Sequence, residues 1–211
     1  MQTCLQEEEL GNSLILPPTY LPSISWYAML LKTQNYKLGI PAKFIKQSLL
    51  NRAYIKGANK LEPLIIPIRH ATKYCSEVEI CFNSPWHLIH QKALQSAYGR
   101  AAYFLYYSEP LLSSLEHPPQ KLYDFNLKLI QQINAFLKLP PVECIITTDK
   151  IDLECVFHFP QGPYPDYFQP PRYWQPFGKF IPNLSILDLL FHTGPEAILF
   201  LRKSITYPKN I

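Results

Sequence analysis

A single α+β (or mixed α/β) domain is the fold class this sequence predicts, and three observations predict it. Short apolar runs, closed by prolines, recur up to Phe82. Helical spacing of apolar residues then dominates from Trp86 to Leu139. Near the C-terminus a helix start, an apolar turn and a Gly-Pro stop are written in one stretch, from Asn183 to Pro195. The expected order is short N-terminal strands, a helical middle and a C-terminal helix pair.

Residues 1–12 read as a polar tail, and residues 13–205 as one domain. Ser13 to Leu16 is a short strand stopped by Pro17-Pro18. Ser23 caps a helix that runs to Lys32, because its hydroxyl can take an orphan N–H of the first turn. Tyr36 to Ile40 is a short strand closed by Pro41. Phe44 to Lys56 stays open between strand and irregular structure. Leu64 to Ile68 and Val78 to Phe82 are apolar and β-branched enough for strands.

In the middle, Ser84 is the expected cap, with Pro85 at the first helical position and the helix running to Tyr98. A second helix covers Ala101 to Leu115, with a break expected at Pro110. Lys121 to Leu139 is the clearest helix. Leu122, Phe125, Leu129, Ile133, Phe136 and Leu137 form its buried stripe. Pro140-Pro141 ends it, and Val142 to Thr147 returns as a strand.

Gly162 to Phe177 is dense in Pro, Tyr and Trp. It is too long and too Pro-rich for a regular element, and loops of that length in compact domains usually carry function. It reads as a packed loop or a lid, with Tyr164, Tyr167, Tyr173 and Trp174 facing inward. The alternative is that these rings pad the C-terminal helices. Asn183 and Ser185 are both expected as caps of the helix Ile186 to Leu190, with Asp188 inside it. Thr193-Gly194-Pro195 stops that helix and starts the next.

The composition narrows the function. The chain has 211 residues, 47% hydrophobic and 17% charged, which suits a packed core and not a disordered chain. No apolar run approaches the roughly 20 residues that span a bilayer. The first nine residues carry three consecutive glutamates and no basic cluster, unlike a signal peptide. Five cysteines, none spaced Cys-x-x-Cys, read as reduced thiols in a cytoplasmic protein. No zinc or other metal site is expected. With 7 glycines there is no Gly-rich phosphate loop of either common type, and no cofactor is expected. A net charge of +4 favours an anionic small molecule over nucleic acid.

Three constellations carry the chemistry. The first is Lys46-Gln-Ser-Leu-Leu-Asn-Arg52. Extended, it places Lys46 and Ser48 on one face. A turn would instead let Lys46, Asn51 and Arg52 converge on a phosphate or carboxylate. The bland alternative is a solvated basic edge strand. The second is Trp86-x-x-x-His90, with Tyr98 two turns later. An imidazole beside an apolar face is a candidate general base, or simply a packed and satisfied ring. The third is Asn183, Ser185 and Asp188 around one helix start, suited to an anion or an amide. The bland alternative is capping worth about 1 kcal/mol, with Asp188 bracing a loop.

These pieces also stand in an order that resembles the WbqC-like family of bacterial proteins. The set runs through Leu21-Pro-Ser-Ile-Ser-Trp-Tyr27, Lys46 to Arg52 with Ile55, Leu64-Ile-Ile-Pro-Ile68 and Trp86-x-x-x-His90. It continues through Ala97-Tyr98, Tyr103-Phe104, Leu122-Tyr-Asp-Phe-Asn126 and the Phe180-to-Ala197 stretch. Family motif positions correspond here to Lys46, Ser48, Asn51, Arg52, His90, Tyr98 and Asn183. Family members are often encoded among genes for O-antigen and other surface-sugar synthesis. The resemblance implies a cytoplasmic transferase that moves an amino-acid or acyl group onto an amino sugar. Lys46 and His90 would be its catalytic groups, with His90 the general base on the amine. Ser48, Asn51, Arg52, Tyr98 and Asn183, joined by Asp188, Tyr164 and Trp174 from the residue patterns above, would bind an anionic or sugar-linked substrate. One departure stands out: many relatives carry an acidic residue and a tyrosine where this chain has Ala42 and Phe44. It keeps a second expectation open, a non-catalytic binding or scaffold protein of the same pathway.

Overall fold

The computed structural model describes residues 14–33, 36–58, 60–69, 74–142, 144–145 and 151–206. The expected polar tail at residues 1–12 lies outside them. Apolar β-branched runs become strands where a neighbour can take their backbone groups. β1 (Leu14–Leu16), β2 (Tyr36–Gly39) and β5 (Cys144–Ile145) form a small parallel sheet in the order β1-β2-β5. β3 (Arg52–Lys56) and β4 (Leu61–Ile65) form a separate antiparallel hairpin, with Arg52 opposite Ile65 and Lys56 opposite Leu61.

Helices α1 (Ile24–Lys32), α2 (Trp86–Tyr98), α3 (Phe104–Glu116), α4 (Leu122–Phe136), α5 (Ile186–Thr193) and α6 (Ala197–Lys203) pack around these strands. One hydrophobic core joins them. It includes Tyr20, Trp26, Tyr27, Ile55, Phe125 and Phe191, all at most 1% exposed. The fold is the expected mixed α+β domain with its C-terminal helix pair.

Several local expectations are corrected. The helix starting after Ser84 has Pro85 at its cap position, without a side-chain cap. Helix α3 runs through Pro110 and is not broken there. The proline removes only the bond that the Tyr106 carbonyl would accept, and Tyr106 stands on the solvent face. Val78 to Phe82 is no full strand: it contributes single bridges from Ile80 to Ile68 and from Glu79 to Lys121. The strand expected up to Thr147 is described only at Cys144–Ile145.

The starts of α1 and α5 face each other. Ser23 and Ser185 form an antiparallel bridge. Ile24 N–H donates to the Leu184 carbonyl at 3.0 Å, and Ile186 N–H donates to the Pro22 carbonyl at 2.8 Å. Each serine caps its own helix, Ser23 through Trp26 N–H and Ser185 through Leu187 N–H. Asn183, expected to cap α5, caps α1 instead. Its Oδ1 accepts from Ser25 N–H at 2.8 Å, and its Nδ2 donates to the His158 carbonyl at 2.9 Å. The reason is its backbone: Asn183 lies at φ 51°, a left-handed conformation that asparagine tolerates. That conformation directs its side chain toward the facing helix. Gly194 ends α5 at φ 55°, where an added Cβ would meet the Tyr103 ring at 2.5 Å.

Candidate functional site

The stretch left open between strand and turn is a turn followed by a strand. Gln47 sits at φ 56°. Ser48 Oγ donates to the Ile45 carbonyl at 2.7 Å and accepts from Leu50 N–H at 3.3 Å. Asn51 then grips the end of β4 from both ends of its residue. Its Nδ2 donates to the Ile66 carbonyl at 2.9 Å, and its own carbonyl accepts Ile66 N–H at 2.8 Å. From helix α4, Asn126 Nδ2 donates to the carbonyls of Leu50 and Pro18. The turn is therefore fixed from three sides.

Its consequence is convergence. Lys46, Asn51 and Arg52 line one open groove of about 890 Å³, together with Phe44, Arg69, Cys81 and Asn83. Among the described residues no acidic side chain lines it. Lys46 is exposed, and Arg69 is paired with Glu79 at 3.1 Å on a half-open surface. Arg52 carries a buried Nε with no hydrogen-bond partner. A guanidinium N–H buried without a partner is costly unless something else takes it. Phe44 stands on the groove wall.

The other expected site residues lie elsewhere. Ser48 is fully buried and supports the turn without facing the groove. His90 is 3% exposed, between Trp86 and Tyr20. Its Nδ1 pairs with the Tyr20 hydroxyl at 2.9 Å, and the Ile65 backbone hydrogen-bonds the ring as well. Burial pushes its pKa down to about 4, against a smaller opposing pull from that backbone bond. Asn183 borders a cavity of about 10 Å³ that Arg52 and His158 also line.

A second polar cluster surrounds Asp188, which is fully buried. Tyr98 donates its hydroxyl to Oδ1 at 2.9 Å. Tyr173 donates to Oδ2 at 2.5 Å, and Gln175 Nε2 donates to the same oxygen at 2.9 Å. Lys56 reaches in from the end of β3. Its Nζ donates to Gln175 Oε1 at 3.4 Å and to the Lys179 carbonyl at 3.0 Å. Burial raises the Asp188 pKa, while its hydrogen bonds and His192 pull the other way. Burial lowers Lys56, and the charge of Asp188 partly offsets this. Gln175 also accepts Ile181 N–H at 3.0 Å, so the loop from 173 to 181 is tied to helix α5 through one carboxylate.

The aromatic loop divides accordingly. Tyr164 donates to the Pro160 carbonyl and packs on Phe168. The Lys32 ammonium lies 4.7 Å from the centre of the Tyr167 ring. Tyr173 belongs to the Asp188 cluster. Trp174 alone of the four turns outward, 72% exposed, with its ring edge-on to His192 at 5.6 Å. Trp174, Phe177, His192 and Arg100 line a hollow of about 570 Å³, and a neighbouring one of about 560 Å³ lies over Lys56 and Lys179.

Thus Lys46, Asn51 and Arg52 come together, Tyr98 and Asp188 come together near Trp174, and His90, Ser48 and Tyr164 stand apart from both groups, while Asn183 shares only the small cavity with Arg52. Sequence reading missed Arg69, Cys81, Lys56, Gln175 and His192. Two signals were there: Lys56 lies four residues from Arg52 on the same strand face, and His192 lies one helical turn from Asp188. Among the described residues no group of His, Cys, Asp and Glu is arranged to hold a metal ion. Nor, among them, is any helix long and apolar enough to cross a membrane.

A family model, that of the WbqC-like proteins, matches residues 17–154 and 162–199. No curated protein and no solved structure matches the chain.

Proposed function

The chain belongs to the WbqC-like protein family, and from that premise we propose that it is a transferase moving an amino-acid or acyl group onto an amino sugar. The setting would be bacterial surface-polysaccharide synthesis, in the cytoplasm. The observation that carries the reading is the basic groove, where Lys46, Arg52 and Arg69 line one open space and Arg52 Nε has no protein partner. A phosphate- or carboxylate-bearing substrate in the groove would be met by the Arg52 guanidinium, whose fork sets direction, with Lys46 adding a point charge. Asn51 and Asn83 on the same wall offer amides to hydroxyl or acyl oxygens.

In this reading His90 is a positioning residue. A neutral imidazole of lowered basicity is a poor proton acceptor at neutral pH. Held between Tyr20 and the Ile65 backbone, it fixes the end of β4 that Asn51 grips. The reading is tested by calorimetric titration with pyrophosphate and a nucleotide-linked amino sugar, followed by a product assay with activated acyl donors. Absence of anion binding would overturn it.

A second reading is favoured by Phe44. Relatives place a tyrosine hydroxyl there, and this groove has a bare ring. A binding protein of the same pathway would take the ligand and form no product. The paired change Ala42→Glu with Phe44→Tyr separates the two: turnover only in the changed protein identifies the native chain as a binder.

A further inference from the structure

We propose that the hollow beside Trp174 is a second ligand site, built for a flat ring that carries a hydrogen-bonding edge. It shares no lining residue with the basic groove, so it stands or falls separately from the reading above.

The first observation is the mounting of Trp174. An indole 72% exposed costs solvation and would ordinarily sit on a mobile loop. Here its two chain neighbours, Tyr173 and Gln175, are both hydrogen-bonded to the buried Asp188 carboxylate. The ring is thus presented from a fixed backbone, the arrangement that reduces the entropy lost when a ligand stacks on it.

The second is Phe177, on the same wall and 58% exposed. Its φ is 59°, a left-handed conformation that is unusual for a bulky residue. Strain of this kind persists where surrounding structure enforces it, and it concentrates at binding sites. Two exposed rings therefore flank a space of about 570 Å³, large enough for a small ring ligand.

The third is His192. Both its ring nitrogens are shielded from water and neither has a hydrogen-bond partner. Trp174 stands edge-on over it, and the Tyr98 ring lies on another side at 5.8 Å. Facing it are the charges of Asp188 and Lys56, with Arg100 on the rim. A neutral imidazole offers one donor and one acceptor on diverging sides, so either nitrogen can take one polar group of a ligand. A small turn of the indole would expose it. A ring seated between Trp174 and Phe177 would bring its polar edge to one of those nitrogens.

Two ligand classes share this chemistry, a nucleobase and a pyranose, and the test distinguishes them. Trp26 and Trp86 are buried in the core, so the emission of Trp174 reports on the hollow. We expect a saturable emission change with uridine or adenosine, or with methyl glucoside. A response to nucleosides alone assigns a base, and to the glycoside alone a sugar. Phe177→Ala, a surface change, should weaken binding about tenfold, as loss of one aromatic contact does. His192→Gln keeps one hydrogen-bonding edge and should weaken it less than His192→Ala. A flat titration with all three probes overturns the proposal. So does binding, followed by calorimetry, that neither Phe177→Ala nor Trp174→Ala alters.

Discussion

Gln175 stands between Lys56 and Asp188, accepting from the ammonium at 3.4 Å and donating to the carboxylate at 2.9 Å. Strand β3 and helix α5, far apart in the chain, are joined through one loop amide. The three donors on Asp188 suit an ionised carboxylate, which accepts and never donates.

Asp188→Asn should therefore be more damaging than its similar shape suggests. The new amide would turn an N–H₂ toward a hydroxyl or amide that is already donating. We expect a loss of about 3 kcal/mol in unfolding free energy, measured by urea denaturation. A loss under about 0.5 kcal/mol would mean that the cluster is not cooperative.

Removing the Arg52 side chain should act on ligand affinity more than on stability. Arg52→Gln is expected to weaken pyrophosphate binding by about tenfold or more, since a hydrogen bond to a charged group contributes about 1.5–3 kcal/mol. Arg52→Lys should recover only part, having charge without the fork. Raising the salt concentration should lower affinity in the native protein. Equal affinities across all three proteins would place the anion elsewhere.

Cys81 lines the basic groove, whereas Cys75 and Cys155 are buried. Burial pushes the Cys75 thiol up to about 11 and raises Cys155 as well. Peptide mapping after brief iodoacetamide treatment should find Cys81 labelled first of the three, and pyrophosphate should slow that labelling. Unchanged labelling under saturating anion would argue against occupancy of the groove.

Acid should destabilise the fold. Burial lowers the pKa of His90 to about 4 and lowers His158 and His192 too. The unfolded chain then binds more protons than the folded one, so stability is full above pH 6.5 and falls as pH drops toward 4. The raised pKa of Asp188 acts in the opposite sense. For His90 alone the effect approaches about 3 kcal/mol. Urea midpoints at pH 7.5 and 4.5 measure it. His90→Gln should shrink the drop between them, and an undiminished drop would remove His90 as its source.

The fold class was legible because its signals are local. Ser23 and Ser185 sit before apolar helical runs, and caps of that kind need only a few residues to be recognised. The convergence of Lys46, Asn51 and Arg52 was half-legible. The residue types were plain, but the choice of a turn depends on Asn126, a residue 76 positions from Leu50. Lys56 was legible in its strand face but not in its depth. Strand alternation tells which face a side chain takes and says nothing of its depth, and its partner Gln175 lies 119 residues away. His90 was seen as half-buried, but the contacts that make it a neutral core ring come from Tyr20 and the backbone of Ile65.

The cap that Asn183 places on Ser25 crosses 158 residues of chain. At about 5–20 residues per second, the ribosome needs on the order of ten to thirty seconds to make that span. Through that interval helix α1 has emerged with its Ser25 N–H still waiting for Asn183. The cap of helix α1 can therefore be finished only when the segment around Asn183 appears to close it. Nascent chains arrested before residue 183 should display to chaperones the α1 face that packs on the C-terminal helix pair, and chains extended well past residue 203 should not.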